Sequence, residues 1–173
     1  MKYLIIVLIT ASSVYAQPDV NSFGEANFND IMINGKSIQN IKNTNGDQTL
    51  MFNLFGNAAN VEQSATGKSI KFVYNGFSVS FGSYVSDGSN LTLSSFEIES
   101  SAPNLTIDSI NISVGDNISV LSPLNLVVNN GGNYPTGIKG YIIAPCEKCD
   151  KFIYIEYSQI NNTIVNIGYT VLT

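Results

Sequence analysis

Residues 70–81 read Ile70-Lys71-Phe72-Val73-Tyr74-Asn75-Gly76-Phe77-Ser78-Val79-Ser80-Phe81, and this stretch decides the fold class of the chain. Asn75-Gly76 favours a two-residue hairpin turn, because both residues tolerate positive φ. After the turn, Phe77, Val79 and Phe81 alternate with serines, which is typical of a strand with one buried face. The stretch therefore predicts an antiparallel hairpin within a half-buried sheet.

Further strands are predicted on both sides of this hairpin. Residues 31–33 and 36–38 flank a second turn dipeptide, Asn34-Gly35. Alternating or apolar runs predict the remaining strands at residues 91–99, 110–112, 137–144, 151–157 and 164–172.

One helix is predicted at residues 47–56. Asp47 suits an N-cap, and Gly56 suits the position just after the last turn. Between them, one helix face is shared by Leu50, Met51, Leu54 and Phe55. A shorter helical turn is expected at residues 117–121, ended by Pro123.

The order of elements is repeated along the chain. Residues 110–118 echo residues 31–38 and end in a similar Gly-x-x-Ile pattern, and residues 169–173 echo residues 96–100. We therefore predict two tandem repeats of strand, helix and three antiparallel strands, at residues 29–101 and 102–173, packed as one globular unit. Residues 17–28 are expected to be irregular. The fold class is then α+β and mostly antiparallel β, with an all-β sandwich as the alternative.

This order resembles exported bacterial proteins built from helix-plus-three-strand units, the β-lactamase-inhibitor-protein-like architecture. The resemblance spans residues 29–173 and implies a curved sheet that binds another protein. It carries over no catalytic or contact residue.

The first sixteen residues predict a cleavable signal peptide. Lys2 precedes a short apolar run, and small residues lead to a cut between Ala16 and Gln17. The run is shorter than the roughly 20 apolar residues that span a bilayer. We therefore expect a secreted or periplasmic protein without membrane insertion after cleavage.

The composition excludes several function classes. Histidine, arginine and tryptophan are absent, and the formal net charge is −5. Nucleic-acid binding requires clustered cations, so we expect none. Without histidine there is no imidazole base near neutral pH. We expect no enzyme activity, no cofactor and no metal.

Cys146 and Cys149 are the two cysteines, and they lie between two predicted strands. We expect a local disulfide at a hairpin tip. A redox site would place Cys-x-x-Cys at the start of a helix, and a zinc site needs further ligands.

Glu97 and Glu99 share one face of a predicted strand. A carboxylate pair of this kind could serve a hydrolase, but alternation with Phe96 and Ile98 is the simpler explanation. The carboxylate-only hydrolase is the third of our function hypotheses.

The preferred hypothesis is a non-enzymatic binding protein, inhibitor-like or immunity-like, whose partner is another protein. Tyrosine makes good contacts because it is large, rigid and amphipathic. The candidates for a contact surface are Tyr141, Tyr154, Tyr157 and Tyr169. The alternative is a structural or adhesive surface protein that polymerises through strand edges.

Overall fold

Most of the chain is built from short strands. The computed structural model describes residues 19–83 and 90–172. Its strands are β1 (Val20–Ser22), β2 (Met32–Ile33), β3 (Lys36–Ser37), β4 (Asn60–Gln63), β5 (Ser69–Tyr74), β6 (Phe77–Gly82), β7 (Thr92–Ile98), β8 (Leu105–Ile107), β9 (Ile110–Ile112), β10 (Ile138–Ala144), β11 (Lys151–Ser158) and β12 (Thr163–Val171).

These strands form two sheets. The large sheet has the order β1-β10-β11-β12-β7-β6-β5-β4, and the small sheet has the order β3-β2-β8-β9. Strand β1 runs parallel to β10, whereas the other ladders within the described residues are antiparallel.

Four helical segments lie among the described residues: α1 (Glu25–Asp30), α2 (Ile38–Lys42), α3 (Gln48–Phe55) and a 3₁₀ helix (Ile118–Leu124). Side-chain caps begin three of them. Ser37 accepts from the Asn40 amide, Asp47 from the Leu50 amide, and Asn117 from the Ser119 amide. Each cap satisfies a backbone donor that the first helical turn leaves unpaired. In the described part of the chain, no helix is long and apolar enough to cross a membrane.

The helices cover one face of the large sheet. Phe28 of α1 meets Tyr169 with ring centroids 6.3 Å apart, and Phe55 of α3 meets Phe77 at 5.2 Å. One apolar cluster joins this face to the helices and to the small sheet. Each large side chain buried there stabilises the fold by roughly 1.5–3 kcal/mol relative to exposure.

Strands from the first and second parts of the chain meet at the centre of both sheets. The last strands, β7 and β12, pair antiparallel at the centre of the large sheet, and β2 pairs with β8 at the centre of the small sheet. At the first junction Phe96 lies opposite Tyr169, and the two rings stack with centroids 5.6 Å apart and planes 10° apart. On one side of the large sheet the strands follow the order β12, β11, β10, and on the other side the order β7, β6, β5. The small sheet likewise has β8 and β9 on one side and β2 and β3 on the other.

The predicted fold class, α+β and mostly antiparallel, is confirmed, and the helices exclude the all-β sandwich. The hairpin of β5 and β6 and the helix after Asp47 are confirmed with nearly the predicted bounds.

Three local predictions are wrong. The expected irregular segment contains β1 and the start of α1, since pairing with the distant β10 orders residues 20–22. Ile38 begins α2 rather than ending a strand, because Ser37 caps it. Pro123 lies inside the 3₁₀ helix instead of ending it.

A bulge shifts the alternation at the start of β12. Glu156 pairs with Asn166, and the next residue, Tyr157, pairs with Ile164, so Val165 has no partner. Val165 is 43% exposed, whereas Ile164 is buried. Simple alternation with Ile167 and Tyr169 would bury Val165, and the bulge breaks that alternation.

Candidate functional site

The face of the large sheet opposite the helices carries the candidate site, and we call it the open face. Its side chains alternate with those of the core and are mostly polar, and of those named below Ser78 is buried. A central row crosses all eight strands in register, through Val20, Ile142, Tyr154, Gly168, Glu97, Ser78, Val73 and Asn60.

Two further rows flank the central one. Towards the β4 edge runs a hydroxyl-rich row, made by Phe152, Thr170, Ser95, Ser80, Lys71 and Glu62. On the other side Gly140, Glu156 and Asn166 form a short row across β10, β11 and β12. The half near β1 is therefore aromatic and acidic, and the half near β4 is rich in serine.

Tyr154 is the main aromatic side chain of the central row. Its phenol lies directly on Gly168, the residue opposite it on β12, so that a Cβ at position 168 would overlap the ring. A glycine inside a strand commonly marks such a close approach. Gly168 thus provides the space in which the Tyr154 ring extends towards Glu97, the next residue along the row.

Two carboxylates act on the Tyr154 phenol. Burial raises the pKa of Tyr154, and the negative charges of Glu97 and Glu156 raise it further, against an opposing contribution from Asn166. Glu156 accepts a hydrogen bond from Asn166 Nδ2 at 3.1 Å. Glu97 is exposed and makes no side-chain hydrogen bond or ion pair within residues 19–83 and 90–172. Both carboxylates therefore remain available beside the ring.

A second tyrosine covers the sheet near Glu156. Tyr134, from the loop before β10, lies on Gly140, and its hydroxyl accepts a hydrogen bond from Asn129 Nδ2 at 3.0 Å. Burial raises the pKa of Tyr134, and the charge of Glu156 adds to that rise. Glu156 is therefore flanked by two aromatic rings.

The four tyrosines proposed as a contact surface do not share one surface. Tyr154 lies on the open face, whereas Tyr141 and Tyr157 point to the helical side and stack on each other at 5.8 Å. Tyr169 is 2% exposed and belongs to the core, so its proposed contact role is wrong. The stack with Phe96 accounts for its burial.

A small cavity lies beside Tyr141 on the helical side. Its volume is about 280 Å³, and its lining is formed mainly by the 3₁₀ helix, including Ile118, Leu121 and Ser122. Burial raises the pKa of Tyr141, with a smaller contribution from Tyr157. Tyr141 is the titratable side chain among the described residues that line this cavity.

Cys146 and Cys149 form a disulfide in the loop between β10 and β11, as the sequence predicts. The Cys149 amide donates to the Cys146 carbonyl at 3.3 Å, so the four residues form a tight turn. The predicted cleavage site at Ala16 and Gln17 lies outside the described residues.

Glu97 and Glu99, the carboxylate pair noted in the sequence, do not both lie within β7. Glu97 lies in β7, but Glu99 follows the end of the strand, where its amide donates to the Gly76 carbonyl. In the part of the chain that the structure describes, no group of three His, Cys, Asp or Glu side chains could hold a metal ion.

Sequence reasoning missed Gly168, Gly140, Tyr134 and Glu156 as parts of one face. The available signal was an isolated glycine within each of two predicted strands, at positions 140 and 168. The pairing that places an aromatic ring on each glycine joins distant parts of the chain, so alternation alone did not reveal it.

Comparison with known proteins adds little to this description. No family model matches the chain. No curated protein is similar to it in sequence. One solved structure, an extracellular protein containing a SCP domain from Bacillus anthracis, is 12% identical with a TM-score of 0.36. The alignment covers 73% of this chain and 43% of that protein, so the chain spans less than half its length. A TM-score of this size supports no argument about fold or function.

Proposed function

We propose that the protein is an exported, non-enzymatic binding protein that holds a protein partner on the open face. The observation that carries the proposal is the central row, in which the Tyr154 ring lies on Gly168 beside the unpaired Glu97. An aromatic ring with polar neighbours is a common centre of protein interfaces.

The dimensions of the open face favour a macromolecular partner. Eight strands at about 4.8 Å spacing give a face roughly 35 Å wide. A standard interface buries about 800 Å² on each partner, which a face of this width can supply. A small molecule would instead require a deep, mostly apolar cavity.

We also propose that the chain is a tandem duplication, as the helix-plus-three-strand resemblance implies. The mirrored strand order supports it, and so do the matching turns at Asn34-Gly35 and Asp108-Ser109, all four of which have positive φ. Under this proposal the open face joins two related halves, of which one carries serines and the other carries Tyr154 and Glu156.

Export rests on the first sixteen residues and on the disulfide, because such bonds persist in oxidising compartments. Secreted protein should begin at Gln17. Intact mass of material from the culture medium tests this, and a chain that still begins at Met1 would contradict it.

The adhesive alternative would require strand edges that add further copies. The outer strands are short, at three residues for β1 and four for β4, and Glu62 places a charge on β4. Short, charged edges disfavour edge-to-edge pairing. Light scattering over a concentration series tests the alternative, and growth of the particles with concentration would support it.

The binding proposal is tested by affinity capture from the producing organism. The tagged mature chain is compared with Glu97→Lys and Tyr154→Ser. Asp30→Lys is the matched control, because it makes the same charge change at an exposed position on the helical side. One stoichiometric protein should bind the mature chain and the control but neither open-face variant. A partner retained equally by all four proteins would place binding elsewhere.

A further inference from the structure

The charge of the open face around Tyr154 indicates the chemistry of its partner. Glu97 lies beyond Gly168 in the row of Tyr154, and Glu156 lies two residues further along β11 in the neighbouring row; both act electrostatically on the Tyr154 hydroxyl. One carboxylate has no partner within the described chain, and the other is bonded only to a neutral amide.

The three lysines in the strands of the large sheet do not neutralise these carboxylates. Lys139 and Lys151 lie on the opposite face by alternation, bonded to Asn130 and Glu25 respectively. Lys71 lies on the open face, but it is two strands away from Glu97 and in the neighbouring row. No ion pair joins Lys71 to either carboxylate within the described residues.

We propose that the partner places a lysine or arginine side chain over the Tyr154 ring, between Glu97 and Glu156. This inference rests on the proposed function and specifies its partner as a protein with a basic contact residue. A cation is attracted to the face of an aromatic ring, and flanking carboxylates add charge-assisted hydrogen bonds. The acidic chain, with a formal net charge of −5, attracts a basic surface over longer range.

The position of the ring supports a cation as the bound group. The Tyr154 phenol lies on Gly168 and the side chain is only partly buried, so part of the ring is accessible from the open face. Glycine opposite the ring leaves no side chain of β12 to compete for that position. The bound group would therefore contact the ring face and two carboxylates together, which matches a long side chain with a charged end.

The test uses peptides of matched shape. Tetralysine is titrated into the ¹⁵N-labelled mature chain, and the amide resonances of Gly168, Glu97 and Tyr154 are followed by NMR. Tetra(acetyl-lysine) has the same stems without charge and is the control peptide. We expect tetralysine to shift these resonances in a saturable manner, with a Kd on the order of millimolar. Acetylation should weaken binding by at least about tenfold.

Variants then separate the ring from the carboxylates. Tyr154→Leu and Glu97→Gln should each weaken tetralysine binding by roughly fivefold, and Tyr154→Phe should retain it. Glu62→Gln is the control, because it removes the same charge on the open face at the distant β4 edge. Equal shifts with the acetylated peptide, or with maltohexaose as a neutral sugar probe, would overturn the proposal.

Failure of this inference is distinguishable from failure of the proposed function. If Glu97→Lys no longer captures the partner but tetralysine does not shift the Gly168 amide resonance, the open face binds its partner through other groups. That result would contradict this inference and leave the proposed function supported. If tetralysine binds while every variant retains the captured partner, the cation site is supported and the proposed function is contradicted.

Discussion

The phenol of Tyr154 lies directly on Gly168, across the pairing of β11 with β12. The contact fixes the direction in which the ring extends and places it beside Glu97. It depends on the absence of a single methyl group, and this dependence provides the first test.

Gly168→Ala should displace the Tyr154 ring without unfolding the sheet. The new Cβ overlaps the far end of a flexible side chain, which can rotate away at a cost of about 1–2 kcal/mol. Changed chemical shifts of the Tyr154 ring protons, with loss of tetralysine binding, are the expected results. Gly82→Ala is the control, because its Cβ would lie 3.7 Å from Ser94, an ordinary contact. An unmoved Tyr154 ring in Gly168→Ala would contradict the described packing.

Reduction of the Cys146–Cys149 disulfide should lower the free energy of unfolding only slightly. The bond closes a loop with a sequence separation of 3, so loop closure contributes about 1–2 kcal/mol. Urea denaturation with and without dithiothreitol measures the difference. The double variant Cys146→Ser, Cys149→Ser should not respond to the reductant. Unfolding of the whole chain on reduction would show that the loop has a larger structural role.

Glu25→Gln should remove a stabilising contribution that depends on pH. The Lys151 ammonium, bonded to this carboxylate at 2.6 Å, holds the pKa of Glu25 below its ordinary value. A carboxylate whose pKa is lowered by folding stabilises the folded state at pH values above its unfolded-state pKa. This stabilisation is lost as the pH falls through the folded-state pKa. Because Glu25 is 56% exposed, the effect at pH 7 should be about 0.5–1 kcal/mol.

Thermal denaturation of wild type and Glu25→Gln between pH 7 and pH 3 measures this contribution. The two curves should converge in the acidic range, below about pH 4. Glu62→Gln, which removes a carboxylate outside any ion pair in the described residues, should show no such convergence.

Tyr74→Phe should stabilise the protein at high pH relative to wild type. Burial raises the pKa of Tyr74 to about 12, from an unfolded value near 10. Because the pKa is raised by folding, the stabilising contribution of neutral Tyr74 is fully present at pH values below its unfolded-state pKa. It is lost as the pH rises through the folded-state pKa. Above pH 10, wild type should therefore lose up to roughly 2 kcal/mol that the variant keeps.

At neutral pH the two proteins should be nearly equally stable, because Tyr74 makes only a long hydrogen bond, 3.5 Å, to the Met51 carbonyl. Urea titrations at pH 8 and pH 11 provide the measurement. A constant difference at both pH values would mean that ionisation of Tyr74 is not involved.

Local chemistry made part of this fold predictable. Asn75-Gly76 defines the β5–β6 hairpin, and Asp47 with Gly56 marks the ends of α3, since turns and caps depend on neighbouring residues. Strand β1 was not predicted, because it is three residues long and pairs with β10, which lies far along the chain. The central row of the open face was also not predictable from local sequence. Tyr154 and Glu97 become neighbours only through the pairing of both their strands with β12 at Gly168.

The pairing of β7 with β12 has a consequence for how the chain folds. Strand β7 ends at Ile98, and its partner ends at Val171, so the centre of the large sheet cannot close until nearly the whole chain is present. Parallel addition of β1 to β10 requires the second half in the same way. Non-local contacts of this kind slow folding, so we expect the first half to persist for a time with one edge of β7 unpaired. Polar and charged residues on an exposed strand oppose edge-to-edge pairing, so we expect Ser95 and Glu97 to limit self-association of the newly made chain.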